Sequence, residues 1–353
     1  MRLTDALERA LRDYGLDFEP VETDIEVMNG LISFGYGHPI TGLEKFLGYW
    51  DSSLNIANFP SVSLTADYSV CKVACAVSGR EQIYVRGLNP ETVRARVEKA
   101  MRALRSLSGR DIKVSFYIEM ERKYPAGKGL GESAAVSAAA ARAVAGVLGI
   151  SDPASVSRLA RLASGSGTRS VAGPLSLWLS YAYMDERRCY ALPVPGEEVH
   201  LAFIPQEMGL RTEGAHSAAL RSPYYSRWKL LKMRRLIRAL RRGLETDDLL
   251  RISMEDMWQM HGLLLSSGLS VQDDRFQEAV RAAEAARSRT EGLYFTADTG
   301  PSLVFMSTDS GVIRELEEEH GLGLVHARQS WLPGRDSGFE ARAREWFGFI
   351  GLP

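Results

Sequence analysis

The hydrophobic pattern of the first half of the chain predicts intermixed helices and strands. Apolar residues at helical spacing in residues 3–13 (Leu3, Ala6, Leu7, Ala10, Leu11) predict a short amphipathic helix. Runs rich in β-branched and aromatic residues predict strands at 26–35, 60–67, 69–77, 82–86 and 111–119. Helices are predicted at 90–107, 133–148 and 153–162, and a loop of small residues at 164–180.

The second half continues in the same mixed manner. A strand is predicted at 199–205, and helices at 224–242, 246–266 and 273–289. A strand, a helix and a strand follow at 292–306, 310–319 and 322–328, and a last helix at 339–347. Because strands and helices do not alternate strictly, we expect an α+β fold rather than a doubly wound parallel sheet. Val194-Pro195-Gly196 is a plausible boundary, which divides the chain into lobes at 1–193 and 194–353.

Composition narrows the class of protein. A chain of 353 residues exceeds the roughly 250–300 residues at which a single core stops growing. Its net charge of -1, with 45% hydrophobic residues, argues against disorder and against general nucleic-acid binding. The apolar runs fall short of the roughly 20 residues that cross a bilayer, and residues 1–14 are too charged for a signal peptide. We therefore expect a soluble cytoplasmic protein that has no membrane partner.

The cysteines and histidines point to neither a disulfide framework nor a metal site. Cys71, Cys75 and Cys189 are an odd number in a large chain, so reduced and buried thiols are expected. The six histidines are scattered and form no recognisable ligand spacing with them. No metal ligand is therefore assigned from the sequence.

A glycine-rich turn at residues 124–135, Tyr-Pro-Ala-Gly-Lys-Gly-Leu-Gly-Glu-Ser-Ala-Ala, leads into an alanine-rich helix. Its glycines let the backbone curl around an anion, and the N-terminus of the helix attracts negative charge. The turn matches neither a Walker A loop nor a dinucleotide fingerprint, and it is also compatible with a merely structural turn. Glu132 places a negative charge where a phosphate would bind.

Three further segments carry candidate chemistry. Residues 164–170, Ser-Gly-Ser-Gly-Thr-Arg-Ser, set one guanidinium among hydroxyls, an arrangement that suits a carboxylate or phosphate but also occurs in surface loops. Asp298 precedes a Gly-Pro turn in Tyr294-Phe-Thr-Ala-Asp-Thr-Gly-Pro301, where an aspartate is often only turn chemistry. The third segment runs from Lys45 to Asp51 and continues through Leu54-Asn55 to Ser61-Val-Ser-Leu-Thr65.

Together these motifs resemble the diphosphomevalonate decarboxylases of the GHMP kinase superfamily, in the order in which that family carries them. The resemblance covers most of the chain after the first thirty residues. It implies the two-lobed GHMP fold with a cleft between the lobes. It also implies a mevalonate-pathway reaction of isoprenoid biosynthesis, in which ATP phosphorylates the 3-hydroxyl of diphosphomevalonate before phosphate and CO2 leave. Members are often homodimers, so the resemblance implies a homodimer acting on a phosphorylated mevalonate.

The resemblance also implies roles for particular residues. Asp298 matches the catalytic aspartate, Lys45 the active-site lysine, and Arg169 the arginine that holds the substrate carboxylate. Ser164, Ser166, Ser170 and Tyr49 fall in segments that contact the substrate. The phosphate-binding positions are Lys128, Gly129, Gly131 and Ser133, of which Ser133 matches the serine that faces ATP and Mg²⁺. Related mevalonate 3-kinases lack the aspartate, which makes decarboxylation the expected reaction here.

Two departures suggest a changed substrate. Phe46 and Tyr49 stand where the family has a tyrosine and a lysine that contact the diphosphate, and Glu132 replaces a serine of the phosphate turn. Both fit an enzyme that accepts mevalonate 3,5-bisphosphate and needs no ATP, as in some archaea. Alternatively, Glu132 points away or binds Mg²⁺ and ATP is still used, or the protein is a mevalonate-type kinase. Lys128 is the lysine that we expect to balance Glu132.

Two further features, the basic segment 226–242 and His261, allow alternative functional interpretations. The segment carries eight Lys and Arg residues, which suits RNA or an acidic partner, but a solvated helix covering the core is the favoured interpretation. His261 falls on a predicted helix beside Trp258. We expect a core or supporting role for it rather than catalysis.

Overall fold

The computed structural model describes residues 2–86, 90–109, 111–125, 130–207 and 212–352. Its helices are α1 Leu3–Tyr14, α2 Pro90–Ser108, α3 Glu132–Val147, α4 Pro153–Ala163, α5 Gly167–Ala172, α6 Thr212–Arg221, α7 Tyr225–Arg241, α8 Thr246–Leu265, α9 Asp274–Arg287, α10 Ser310–His320 and α11 Ser337–Phe349. Its strands are β1 Ile32–Gly37, β2 Ile40–Glu44, β3 Tyr49–Asp51, β4 Ile56–Ala57, β5 Ser61–Thr65, β6 Ser69–Val77, β7 Ile83–Arg86, β8 Val114–Arg122, β9 Leu175–Trp178, β10 Ala191–Pro193, β11 His200–Ile204, β12 Tyr294–Thr296, β13 Leu303–Ser307 and β14 Val325–Arg328.

The strands form mainly antiparallel sheets, which confirms the α+β prediction. One sheet has the order β1-β6-β8-β7, a second β10-β9-β5-β2 and a third β12-β13-β11-β14, while β3 and β4 form a short pair. Only β7 and β8 run parallel among the described pairs, and α2 connects them. Helices pack on these sheets rather than alternating with their strands.

Several predicted elements are wrong in extent or type. The strand predicted at 26–35 begins only at Ile32. The loop predicted at 164–180 contains α5 and β9, both fully buried, because packing rather than a periodic pattern stabilises these short elements. The strand predicted at 292–306 is an antiparallel pair, β12 and β13, joined by a turn that contains Asp298.

Helix α3 lies unusually close to β1 because the contact is built from small residues. A Cβ atom built on Gly35 of β1 would lie 2.0 Å from the backbone oxygen of Ala139 in α3. No side chain fits at that distance, so glycine is required there. The close contact fixes the position of the N-terminal end of α3, which faces the cleft described below.

The basic helix α7 is not simply solvated. Arg227, Arg234 and Arg238 are exposed as expected, but Lys232 and Arg235 are buried. Both form ion pairs with Glu44 and Asp256, whose side chains are also buried. For these two cations the prediction of a solvated face is wrong, because buried acidic partners lie opposite them.

The largest core cluster contains residues from both halves of the chain. Leu7 and Leu11 of α1 belong to it together with Trp228 and Leu236 of α7. The boundary between 193 and 194 stays a prediction. Cys71, Cys75 and Cys189 are buried free thiols, as expected. Within the described ranges no helix combines the length and apolar character needed to span a bilayer.

Candidate active site

A cleft lies where the end of β2, the N-terminal end of α3, the segment before α5 and the turn after β12 meet. Its lining includes the following predicted site residues: Lys45, Tyr49, Gly131, Ser133, Ser164, Ser166, Arg169 and Asp298. The structure therefore brings together residues that are up to about 250 positions apart in the chain. Lys128 and Gly129 lie outside the described residues.

Lys45 and Asp298 form a close pair at the bottom of the cleft. The Lys45 ammonium donates to the carbonyl of Gly42 and to the hydroxyl of Thr296, both at 2.6 Å, and lies 3.9 Å from Oδ1 of Asp298. Burial lowers the pKa of Lys45, against the opposing charges of Asp298 and Asp256. Burial also raises the pKa of Asp298, against the charges of Lys45 and Arg169. The titration ranges of the two groups therefore move towards each other.

Arg169 is a buried cation with few polar partners. One of its terminal nitrogens donates to Ser61 Oγ at 2.6 Å, whereas its Nε has no hydrogen-bond partner. Its guanidinium lies 5.1 Å from the centre of the Phe46 ring and 5.7 Å from that of Trp178. Burial lowers the pKa of Arg169 to about 10, and an incoming anion would offset this desolvation.

A row of hydroxyl groups lies beside Arg169. Ser166 Oγ is 3.1 Å from Ser133 Oγ and 2.9 Å from Ser164 Oγ. All three serines line the cleft and together present donors to an anion. Ser170 is placed differently, because its hydroxyl donates to the carbonyl of His38 and the residue does not belong to the cleft lining.

The charge of Glu132 is balanced by Arg122, the last residue of β8. Arg122 Nε donates to Glu132 Oε1 at 2.5 Å, and a second guanidinium nitrogen donates to Oε2 at 3.2 Å. Tyr124 also donates to Oε1, at 3.3 Å. Glu132 is the first residue of α3, so this carboxylate sits at the positive end of the helix dipole. The sequence interpretation missed Arg122 because the contact depends on how β8 runs past α3.

An aromatic stack lines the side of the cleft where the sequence departs from the family. The His216 ring lies 4.6 Å from that of Tyr49 and 5.2 Å from that of Phe46. His216 Nδ1 accepts a hydrogen bond from the backbone N–H of Gly48 at 3.0 Å. A Cβ on Gly165 would lie 3.0 Å from the Tyr49 hydroxyl, so the glycine lets that hydroxyl approach the serine row.

Three ionisable residues of the cleft lining carried no signal in the sequence. His216, Arg96 and Lys99 line the cleft, but they come from helices without a motif. Asn55 also lines it, and its amide donates to the carbonyls of Arg161 and Leu162. Only the Leu54-Asn55 motif pointed to this residue. Among the residues that the structure describes, no group of three or more His, Cys, Asp or Glu side chains is arranged to hold a metal ion.

The fold is of the GHMP-kinase type. The solved structure of mevalonate diphosphate decarboxylase from Enterococcus faecalis matches with a TM-score of 0.73 at 21% identity, covering 84% of this chain and 96% of that one. This likeness shows the shared fold.

Sequence comparisons are more specific. Residues 37–191 match the diphosphomevalonate decarboxylase-like N-terminal domain. The mevalonate 3,5-bisphosphate decarboxylase of Thermoplasma acidophilum is 36% identical over 326 residues, which cover 90% of this chain and 80% of that protein. The phosphomevalonate decarboxylase of Haloferax volcanii is 26% identical over 304 residues, covering 81% and 91% respectively. The chain belongs to the diphosphomevalonate decarboxylase-like family and is an enzyme that removes CO2 from its substrate.

Proposed function

We propose that this enzyme converts mevalonate 3,5-bisphosphate into isopentenyl phosphate, CO2 and inorganic phosphate without ATP. The activity named for the relative from Thermoplasma acidophilum supports this substrate. The observation that carries the proposal is the Glu132 carboxylate at the N-terminus of α3, held there by Arg122. A helix N-terminus normally attracts a phosphate, but here the first residue of the helix already carries a negative charge.

The residues at this end of α3 fit a nucleotide triphosphate poorly. Arg122 neutralises Glu132 through two hydrogen bonds, so it is not available as a counter-charge for another anion. The Arg122–Glu132 pair therefore offers no net positive charge to offset that of a triphosphate, whose desolvation in a partly buried site is unfavourable. A substrate that already carries the 3-phosphate removes the need for a phosphoryl donor.

The reaction then consists of an elimination coupled to decarboxylation. The C3–O bond breaks and its electron pair stays on the departing phosphate. The bond between C2 and the carboxyl carbon also breaks, its electrons form the C2=C3 double bond, and CO2 leaves. Without a proton the phosphate would leave as a trianion, so proton donation to it lowers the barrier.

The contacts suit the following division of roles. The Lys45 ammonium donates a hydrogen bond and then a proton to the departing phosphate and is reprotonated from water. The Asp298 carboxylate, 3.9 Å from Lys45, stabilises positive charge that develops at C3. Arg169 holds the substrate carboxylate, and Ser133, Ser164 and Ser166 donate to phosphate oxygens. Tyr49 stands where the family contacts the 5-diphosphate, so it would lie near the 5-phosphate of this substrate.

An ATP-dependent phosphomevalonate or diphosphomevalonate decarboxylase is the second candidate. It is favoured by the named activity of the Haloferax volcanii relative and by the fold shared with the Enterococcus faecalis enzyme. In that case ATP and Mg²⁺ are required and phosphorylation precedes elimination. A GHMP kinase would stop at a stable phosphorylated acid, which separates it from both decarboxylases.

The test is an assay of the purified enzyme with mevalonate 3,5-bisphosphate, 5-phosphate and 5-diphosphate, each with and without ATP and Mg²⁺. Phosphorus NMR and CO2 release identify the products. We expect turnover of the 3,5-bisphosphate alone, and strict ATP dependence would overturn the proposal. The Asp298→Asn variant is the control, because it should lose CO2 release with any substrate.

The homodimer implied by the resemblance and the cytoplasmic location expected from the composition both stay predictions. Light scattering coupled to size-exclusion chromatography measures the mass of the assembly. A mass of about twice the 39.0 kDa chain is expected.

A further inference from the structure

Helix α8 lies behind both Lys45 and Asp298, although these residues come from different strands and different sheets. Ser253, Asp256 and His261 of α8 each make a hydrogen bond towards this pair, directly or through Thr296. At about 100° per residue, these three positions fall within an arc of roughly 140° around the helix axis. One rigid element therefore contacts the supports of both cleft residues.

Asp256 fixes the backbone at Lys45. Its Oδ2 accepts the N–H of Lys45 at 2.7 Å. Its Oδ1 accepts hydrogen bonds from Lys232 at 2.6 Å and from Arg235 at 2.9 Å. The Asp256 side chain is completely buried, so these cations hold the carboxylate in one orientation.

The side chain of Lys45 is supported by the same helix through Thr296. The Thr296 hydroxyl accepts the hydrogen bond from the Lys45 ammonium and donates its own proton to the carbonyl of Ser253, at 3.1 Å. Helix α8 therefore supports Lys45 at its backbone N–H, through Asp256, and at its ammonium group, through Thr296.

His261 fixes the turn that carries Asp298. Its Nε2 lies 2.9 Å from the backbone carbonyl of Asp298. A carbonyl can only accept, so Nε2 carries the proton, and Nδ1 accepts from the side-chain amide of Gln272 at 3.1 Å. The side chain of Gln272 in turn accepts a hydrogen bond from that of Gln277. The imidazole is held from both nitrogens in one neutral tautomer.

We propose that Asp256 and His261 are positioning residues that together set the separation of the Lys45 ammonium and the Asp298 carboxylate. Neither residue lines the cleft, so neither touches the substrate. Because proton transfer and charge stabilisation depend steeply on distance, a shift of about 1 Å at either group costs far more in turnover than in binding. The inference rests on the proposed roles of Lys45 and Asp298.

The first test compares His261→Leu, His261→Gln and Leu264→Ala. Leucine removes both hydrogen bonds, whereas glutamine can place an N–H donor near the Asp298 carbonyl. For His261→Leu we expect kcat for CO2 release to fall roughly 10- to 100-fold with KM changed about twofold or less. His261→Gln should recover most of kcat. Leu264 is a fully buried neighbour on α8, so Leu264→Ala is the control for lost packing and should keep kcat.

The second test uses Asp256→Asn, which keeps an acceptor for the Lys45 N–H but removes the charge that holds it. We expect kcat to fall and KM to change little. Circular dichroism and thermal melting ensure that only folded variants are compared. If Asp256→Asn does not fold, the His261 series decides alone.

Three outcomes would overturn the inference. They are an unchanged kcat in folded His261→Leu, a rise in KM at constant kcat, or equal losses in His261→Gln and His261→Leu. If the wild-type enzyme ignores mevalonate 3,5-bisphosphate, the proposed function fails instead. The same variants are then compared on the mevalonate phosphate that the enzyme does decarboxylate.

Discussion

Glu132 and Arg122 show how a single charged pair can change what a helix terminus binds. The N-terminus of α3 offers N–H groups and a positive dipole end, which ordinarily favour a phosphate. Here the carboxylate of Glu132, the first residue of α3, already places a negative charge at this end, and Arg122 neutralises it. The sequence interpretation expected Lys128 to balance Glu132, and Lys128 lies outside the described residues. The observed partner is Arg122, which that interpretation had not assigned.

Glu132→Gln should make the end of α3 attractive to polyphosphates. The substitution removes the carboxylate that pairs with Arg122 and leaves the positive charge of Arg122 in place. We expect ATP or tripolyphosphate to bind on the order of tenfold more tightly, which corresponds to about 1.4 kcal/mol for one added charge interaction. Isothermal titration calorimetry measures this, with Glu121→Gln as the control at a carboxylate paired with Lys72 instead. Equal affinities for the Glu132→Gln variant and wild type would contradict the prediction.

The Lys45 and Asp298 pair predicts a narrow pH–activity profile. Turnover requires ionised Asp298, so it is lost as pH falls through a pKa that burial raises above 3.8. It also requires protonated Lys45, so it is lost as pH rises through a pKa that burial lowers below 10.5. In Lys45→Arg the guanidinium keeps its proton, so the alkaline limb of the remaining activity should move to higher pH.

This profile is obtained by measuring kcat of the wild-type enzyme and of Lys45→Arg between about pH 4 and pH 10. The range is set by the ordinary pKa values of carboxyl and amine groups. An alkaline limb that stays in place in Lys45→Arg would remove Lys45 from the role of proton donor.

At the scale of elements, the position of α3 depends on its contact with β1. Ser133 stands at the N-terminal end of α3 and lines the cleft, so the position of the helix sets the position of this hydroxyl. The helix approaches the sheet closely because Gly35 has no side chain. Residues that only pack therefore influence where the serine row lies.

Gly35→Ala should destabilise the protein and reduce activity. The new methyl group would overlap the backbone of α3, which cannot move as easily as a side chain. We expect the free energy of unfolding to fall by about 1–3 kcal/mol or more. Chemical denaturation and kcat measure both effects. Gly79→Ala is the matched control, because no atom lies within 4 Å of a Cβ at that exposed position.

At the scale of the whole molecule, the last helix completes a core that begins near residue 32. Phe339, Ala343 and Phe347 of α11 pack with Ile32, Tyr36 and Tyr117 of the first sheet. Lys72 of β6 also pairs with Asp336, which caps α11 by accepting the N–H of Phe339. The sheet beneath α3 thus depends on residues about 300 positions later in the chain.

Phe339→Ala should therefore destabilise the whole protein rather than only its C-terminus. Phe339 is fully buried, whereas Phe349 on the same helix is 87% exposed. We expect Phe339→Ala to lower the free energy of unfolding by about 3–5 kcal/mol. Phe349→Ala should change it by about 0.5 kcal/mol or less. Thermal and denaturant unfolding compare the two, and a similar effect of both substitutions would mean that α11 folds independently of the sheet.

The sequence by itself determined the α+β class, most long helices and the motifs around Lys45, Arg169 and Asp298. Periodic apolar positions encode long elements locally, and motifs carry chemistry in neighbouring residues. It did not determine α5, β9 or the burial of Lys232 and Arg235, because these depend on partners distant in the chain. The 3.9 Å approach of Lys45 to Asp298, the pairing of Glu132 with Arg122 and the contacts from α8 were decided only in three dimensions. Charge pairs and close contacts act over a few ångströms in space, whatever the separation along the chain.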